Sequence, residues 1–511
     1  MAQHDHEADL ADLASHGYTQ RLSRSLGGFS SFAAGFSYIS ILTGMFQLFG
    51  FGYGFGGPLL FWSWVIVLAG QFCVALVFAE LSARYPIAGS VYQWSKKMSS
   101  RAGSWMAGWT MLVGSLVSVA AVSVAEQIVL PQIWSGFQVI DNDGQNAILL
   151  GSCTVALTTT ISLLGVRLMA LINNIGVAAE IIGVALIVIL LLFHIQRGPG
   201  VVLTTQGAGP GLPGWGALGL LAPLLMAAIM PAYVMYGFDT AGSLSEETKD
   251  PRRTTPKALL RALAAAGLCG AALLLLALMT AHSLDLSTLG TGGLPMVLQD
   301  ALGSTVGKLL LVDVAFAIFI CTLAIQTASI RLAFSMARDH ALPFGAKLAH
   351  VGERRQSPIL PAIVSGLVAI GLLVLNAGNS KVFLVITSVA IVVVYLAYLL
   401  VTIPVLVRRL RGWPEDRGEK GWFYLGRGGG IIINAVAVGY GLLMSINLIW
   451  PRTEIYGDGV YAWGGVIFIL AIVVGGAGYY LARQHGKDHG IAEEHRHIPV
   501  AAGEPLHADP V

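Results

Sequence analysis

The sequence predicts an all-α integral membrane protein with 12 transmembrane helices, the first and the sixth of them broken near their middles. Three observations lead there. Of its 511 residues 55% are hydrophobic and only 11% charged, against roughly a quarter charged in soluble domains. The apolar residues fall in blocks of about 20 or more, the length a helix needs to cross hydrocarbon. Two blocks, at Gly35–Gly44 and Pro231–Glu247, carry small and polar residues where a spanning helix is most regular. Backbone polar groups in hydrocarbon must be satisfied internally, so a helix break survives only where it is buried in protein or lines a cavity.

The blocks lie near residues 28–49, 58–82, 104–130, 147–166, 168–195, 216–243, 256–281, 309–335, 358–376, 382–407, 429–450 and 460–482. The stretch 147–195 is nearly continuous and divides at Gly165-Val166-Arg167, where a turn residue and a charge coincide. Segment 294–307 reads as a short re-entrant or surface helix. One membrane domain therefore covers 26–482, with a first half at about 26–195, a second at about 216–407 and an extra helix pair at 429–482. The first 25 residues are polar and have no apolar core, so no cleavable signal peptide is expected. Both 1–25 and 483–511 read as disordered tails.

An even span count places both termini on one side. The termini and every second loop hold 26 of the 30 Lys and Arg, and the opposite side holds Arg197, Lys308, Lys381 and Arg452. Basic residues accumulate on the cytoplasmic side, so both tails are expected in the cytoplasm of a multi-pass protein of the cell membrane.

Composition also excludes functions. A net charge of +2 from dispersed basic residues gives no nucleic-acid surface; the lipid bilayer is the expected surrounding. Cys73, Cys153, Cys269 and Cys321 lie inside apolar segments without metal-ligand spacing and read as small hydrophobes. No metal and no cofactor is expected. The phosphate-binding G-x-x-x-x-G-K-[ST] of an ATP-driven pump does not occur. An enzyme would need paired carboxylates or a Cys/His or Ser/His cluster at catalytic spacing, and a channel a repeated filter motif; neither is visible.

If spans one to five and six to ten form an inverted pair, the first helix of each half is the one expected to break, and such paired breaks point to a substrate site. Span one carries Gly27, Gly28, Gly35 and Gly44 interleaved with Ser37, Tyr38, Ser40 and Thr43; span six carries Pro231, Gly237, Asp239, Thr240 and Gly242. Glycine relaxes the backbone and proline cannot donate to the preceding turn. Freed N–H groups favour a carboxylate and freed carbonyls an ammonium, which suits a zwitterionic or cationic amine. Small residues that only let helices pack closely would give the same composition. Asp239 serves either as an N-cap for the second half of span six or as the attractor of an amine or coupling ion. Glu180, mid-span in INNIGVAAEIIGVALIVIL, is an intramembrane carboxylate and a functional candidate on that ground.

Three strings, AELSARYPIAGSVYQWSKK (79–97), YGFDTAGSLSEETKDPRRTTPKAL (236–259) and IRLAFSMARDHALPF (330–344), together with Gly56-Gly57-Pro58, carry a family resemblance. Over about residues 20–480 the chain resembles the amino acid–polyamine–organocation superfamily of permeases, and more closely its bacterial and fungal amino acid/choline branch, which includes transporters of 4-aminobutyrate, amino acids, choline and ethanolamine. The resemblance implies a LeuT-type 5+5 inverted-repeat fold with two additional C-terminal helices. It places Ser37, Tyr38, Ile39 and Ser40 on one side of a central substrate site and Tyr236, Gly237, Phe238 and Asp239 on the other, completed by spans three, eight and ten, with Tyr236 or Phe238 as a thin gate or as packing. In some related permeases the position seven residues after the first Asn of an Asn-Asn pair is a lysine linked to proton coupling; here it is Glu180. That carboxylate is expected to carry a proton, to hold the ends of spans one and eight by hydrogen bonds, or both.

Glu80, Glu246, Arg331 and Arg338 are candidates for a cytoplasmic gate, with Glu80 paired to Arg331 or Arg338; solvated loop charge is the plainer reading of each. The expected function is secondary active uptake of an amino acid or related small amine by alternating access, as symport with a proton, sodium being the other candidate ion. Exchange, a choline, polyamine or 4-aminobutyrate permease, and a non-transporting sensor remain the alternatives.

Overall fold

The computed structural model describes residues 13–16, 18, 22, 24–205, 208, 218–351, 357–375, 382–453 and 459–485. Among them the regular structure is helical, apart from one isolated bridge between Leu26 and Thr248. Helices α1 (Gly28–Ile39), α2 (Ile41–Gly56) and α3 (Leu60–Arg84) follow each other almost without interruption. Ser40 divides α1 from α2 with a φ of 33°, a left-handed value that non-glycine residues seldom adopt. Next come the amphipathic α4 (Ser90–Met98), then α5 (Arg101–Ser123), α6 (Glu126–Ile133), α7 (Asp143–Leu164) and α8 (Val166–Leu192). Gly165, at φ 121°, makes the turn between α7 and α8.

The second half starts in short pieces: α9 (Leu221–Ala227), α10 (Ile229–Val234) and α11 (Thr240–Ser243). Pro231 lies inside α10. It has no N–H to offer the Ala227 carbonyl, so the interruption it causes falls at Ala228. The longer elements are α12 (Pro251–Thr280) and α13 (Leu286–Arg338), followed by α14 (Gly345–Leu348), α15 (Ile359–Leu375), α16 (Val382–Leu410), α17 (Arg427–Ile449) and α18 (Gly464–Tyr479). Segment 294–307 lies within α13, which is interrupted where Gly293 and Gly303 leave helical geometry at φ values of 60° and 79°; the stretch between those two glycines is a short helical piece of its own.

By length and composition nine helices among the described residues can cross a bilayer, counting Gly28–Arg84 as one and Leu286–Arg338 as one; shorter apolar helices lie at Leu221–Val234 and Ile359–Leu375. The interior is formed where α5 packs on α16, α2 on α13, and α12 on both α1 and α3. Trp64, Trp94, Trp105 and Phe78 are fully buried there. Leu157, Ile182, Leu186 and Ile189 on α7 and α8 are exposed, as lipid-facing side chains must be. Helix hydroxyls are satisfied locally: Thr110, Ser118, Thr159 and Thr322 each donate to the carbonyl four residues back.

Candidate substrate site

The two breaks meet. α1 ends at Ile39 and α10 at Val234, and the last turn of α1 packs in the interior against the irregular residues Tyr236–Phe238. The rings of Tyr38 and Tyr236 lie edge to face with centroids 5.8 Å apart. Gly237, at φ 88°, sits so close to Tyr38 that a Cβ there would run into the Tyr38 ring. One turn back, a Cβ at Gly35 would lie 3.3 Å from the Phe238 carbonyl oxygen. Glycine at these two places is what lets the broken segments touch. Ser37, Tyr38, Ile39, Ser40, Tyr236, Phe238 and Asp239 are all buried, and the Ser37 hydroxyl has no hydrogen-bond partner among the described residues.

Asp239 does not cap α11 with its side chain. Its Oδ2 accepts from Ser90 Oγ at 2.8 Å and its Oδ1 from the Tyr398 hydroxyl at 2.5 Å. The same Tyr398 oxygen accepts from the Gly237 N–H at 2.9 Å, and Ser90 in turn accepts from Ser243 Oγ at 3.0 Å. The Tyr398 ring lies 5.5 Å from that of Phe238 and 5.0 Å from that of Phe78. Phe238 is thus packed in one cluster with Tyr398 and Phe78, whereas the Tyr236 hydroxyl shares a hydrogen bond with Ser118 of α5 at 2.9 Å.

Glu180 reaches the other break. Its Oε1 accepts from Ser40 Oγ at 2.9 Å and from the Leu42 N–H at 3.2 Å, at the start of α2, where a helix N-terminus favours an anion. Its Oε2 is buried with no partner among the described residues. Its described bonds go to the break in the first span, not to α13. From α13 its neighbours include Asp313 and Cys321, the latter donating its Sγ hydrogen to the Tyr38 carbonyl at 3.4 Å.

The four charges at the basic end of the bundle pair differently from expectation. Arg338 holds Glu246 at 2.9 Å and Arg331 holds Glu247 at 2.9 Å, tying the end of α13 to the short turn after α11. Glu80 pairs with neither arginine; its partner is Arg409 of α16. The reason is geometric: the turn at Ser245–Glu247 places two carboxylates against α13, and they engage both arginines. Lys96 and Asp339 form another buried pair at 2.5 Å. The sequence assigns residues 1–25 to a tail; of those described, Leu13, Tyr18 and Leu22 are buried, and Lys96 donates to the Tyr18 hydroxyl at 2.8 Å. Residues beyond 485 lie outside the described ones.

Sequence reasoning missed Tyr398, Ser90, Ser118 and Arg409. Only Tyr398 leaves a trace: it is one of two tyrosines, with Tyr395, in a largely aliphatic span, where a buried phenol needs a partner.

A multi-pass helical bundle whose interior is built from broken helices is the architecture of a membrane transporter, not of an enzyme. Over residues 26–476 the chain matches the model of the amino acid permease family, and it belongs to that family. It is 27% identical to an amino-acid permease, BAT1, of Arabidopsis thaliana, with 86% of this chain and 88% of that one covered. It is 28% identical to the methylthioribose transporter of Bacillus subtilis, covering 75% and 84%, and 26% identical to a putative amino acid/polyamine transporter of Macrophomina phaseolina, covering 78% and 88%. The superfamily resemblance carried by the three strings is borne out.

Proposed function

We propose that this protein is a secondary active transporter moving an amino acid or related small amine across the cell membrane by alternating access, coupled to protons. The observation that carries the reading is the meeting of two helix breaks around a buried carboxylate, Asp239, and a backbone N–H, that of Gly237. An ammonium group suits the first and a carboxylate the second. Glu180, bonded into the first break by one oxygen, is the coupling group. Glu246–Arg338 and Arg331–Glu247 close the inner mouth, with Glu80–Arg409 beside them.

Twelve spans follow if α1–α2, α3, α5–α6, α7, α8, α9–α11, α12, α13, α15, α16, α17 and α18 each cross once. An inverted 5+5 arrangement is supported by a likeness between the halves. Span five reaches the break in span one through Glu180, and span ten reaches the break in span six through Tyr398. With both termini in the cytoplasm, a cysteine introduced at Asp143 is modified by a membrane-impermeant reagent in intact cells, and one at Gly486 is not. Labelling of both overturns the orientation.

A thermal-shift panel of amino acids, 4-aminobutyrate, choline, polyamines and methylthioribose on purified protein tests the substrate class. Only true ligands add stability by mass action, about 2.7 kcal/mol at a hundredfold excess over Kd. A second reading, a neutral polyol-like substrate, is favoured by the methylthioribose transporter among the relatives; it requires that sugar alone to shift the transition. Saturable, gradient-dependent uptake in proteoliposomes separates a transporter from a sensor.

Asp239→Asn distinguishes attraction of an amine from structure. Asparagine can accept from Tyr398 and donate to Ser90, so the fold stands while the charge is lost. A cationic group then binds about 1–3 kcal/mol more weakly, as for other charge-assisted hydrogen bonds. Unchanged half-saturation would reduce Asp239 to a structural residue.

A further inference from the structure

The breaks in the two halves are held alike but by different chemistry. Glu180 can only accept hydrogen bonds when ionised, and it accepts from Ser40 and Leu42. The Tyr398 hydroxyl does both: it accepts from the Gly237 N–H at 2.9 Å and donates to Asp239 Oδ1 at 2.5 Å. A backbone N–H and a carboxylate are the two partners that the carboxylate and the ammonium of a zwitterion would take. A substrate that binds both must first displace this hydroxyl.

We infer that the Tyr398 hydroxyl is an internal stand-in for substrate, satisfying the break in the sixth span while the carrier returns without cargo. The inference rests on the substrate-site reading given above. Its physical basis is the cost of leaving a buried donor and a buried carboxylate oxygen unpaired. A carrier without a stand-in meets that cost on every unloaded return, so it moves between its two faces only when loaded. It becomes an exchanger. Ser90 cannot substitute, because it occupies the other oxygen of Asp239. The phenol is placed for the role by its ring, held against Phe78 and Phe238 at 5.0 and 5.5 Å. These are contacts that phenylalanine would keep.

The test compares net uptake with counterflow in proteoliposomes, using a radiolabelled mixture of the standard amino acids for the wild type and for Tyr398→Phe. Net uptake requires the unloaded return; counterflow does not. The expected result is a wild type whose two rates are of similar size and a Tyr398→Phe variant whose ratio of net uptake to counterflow falls about tenfold or more, with counterflow retained. An unchanged ratio overturns the inference, and so does an equal fall in both rates, which is what a merely structural tyrosine gives. If the variant does not yield folded protein, the wild type still decides: a wild type confined to exchange has no use for a stand-in, and the inference fails. Asp239→Asn is run alongside. Unchanged half-saturation there removes the substrate-site reading itself, whereas weakened binding there with an unchanged Tyr398→Phe ratio removes only the role of Tyr398.

Discussion

Gly237→Leu abolishes transport while the protein still reaches the membrane. A leucine must adopt the φ of 88°, which costs an L-residue roughly 1–2 kcal/mol, and its Cβ collides with the Tyr38 ring. Overpacking of that kind adds typically 1–3 kcal/mol. The sum of a few kcal/mol is smaller than the stability of an ordinary folded protein, about 5–15 kcal/mol, so the bundle survives and the site does not. Tyr38 must swing away, and the Gly237 N–H moves out of reach of Tyr398. Uptake in whole cells beside immunodetection of the membrane fraction checks both halves of the expectation. Wild-type uptake by this variant would show that the break in span six has no part in transport.

Glu180→Gln uncouples uptake from the pH gradient. The amide oxygen of glutamine can accept from Ser40 and Leu42 as the carboxylate does, so α2 keeps its start. The loss of a charge at a helix N-terminus costs about 0.3–1 kcal/mol, up to ~2 in a buried setting. Binding therefore persists, but the group can no longer gain and release a proton. Counterflow continues, and accumulation driven by an inward proton gradient disappears. Both are measured in the same proteoliposomes, with uptake after a pH jump as the readout. Accumulation that still follows the gradient in the variant would take Glu180 out of the coupling step and leave Asp239 or a substrate-borne proton.

Much of this was legible in the chain because membranes impose simple rules. Ser37, Tyr38, Ser40, Gly237 and Asp239 stood out as polar and small residues inside apolar blocks, Ile39, Tyr236 and Phe238 were implied by the family resemblance alone, and Gly165 marked a turn that the structure places where the two long apolar blocks divide. Pro231 acts one turn upstream, as its chemistry requires: a missing N–H is felt at the carbonyl four residues back, and the helix parts at Ala228. Of the two roles open to Asp239, an N-cap or the attractor of an amine or ion, the cap could be guessed from spacing because caps are local. Asp239 bonds instead to Ser90 and Tyr398, 149 and 159 residues away in sequence.

The sequence by itself determined that the chain is a multi-pass helical membrane protein and where two helices break. Those features follow from hydrophobicity and backbone chemistry, which act over one turn or one span. Only the tertiary structure decided who satisfies the breaks. It gave Glu180 to Ser40 and Leu42, Tyr398 to Gly237 and Asp239, and Glu80 to Arg409 in place of the arginines of α13. A buried polar atom must find a partner but does not specify which. The choice is made by how helices far apart in the chain are stacked, and that stacking is written in the packing of whole faces, not in any local motif.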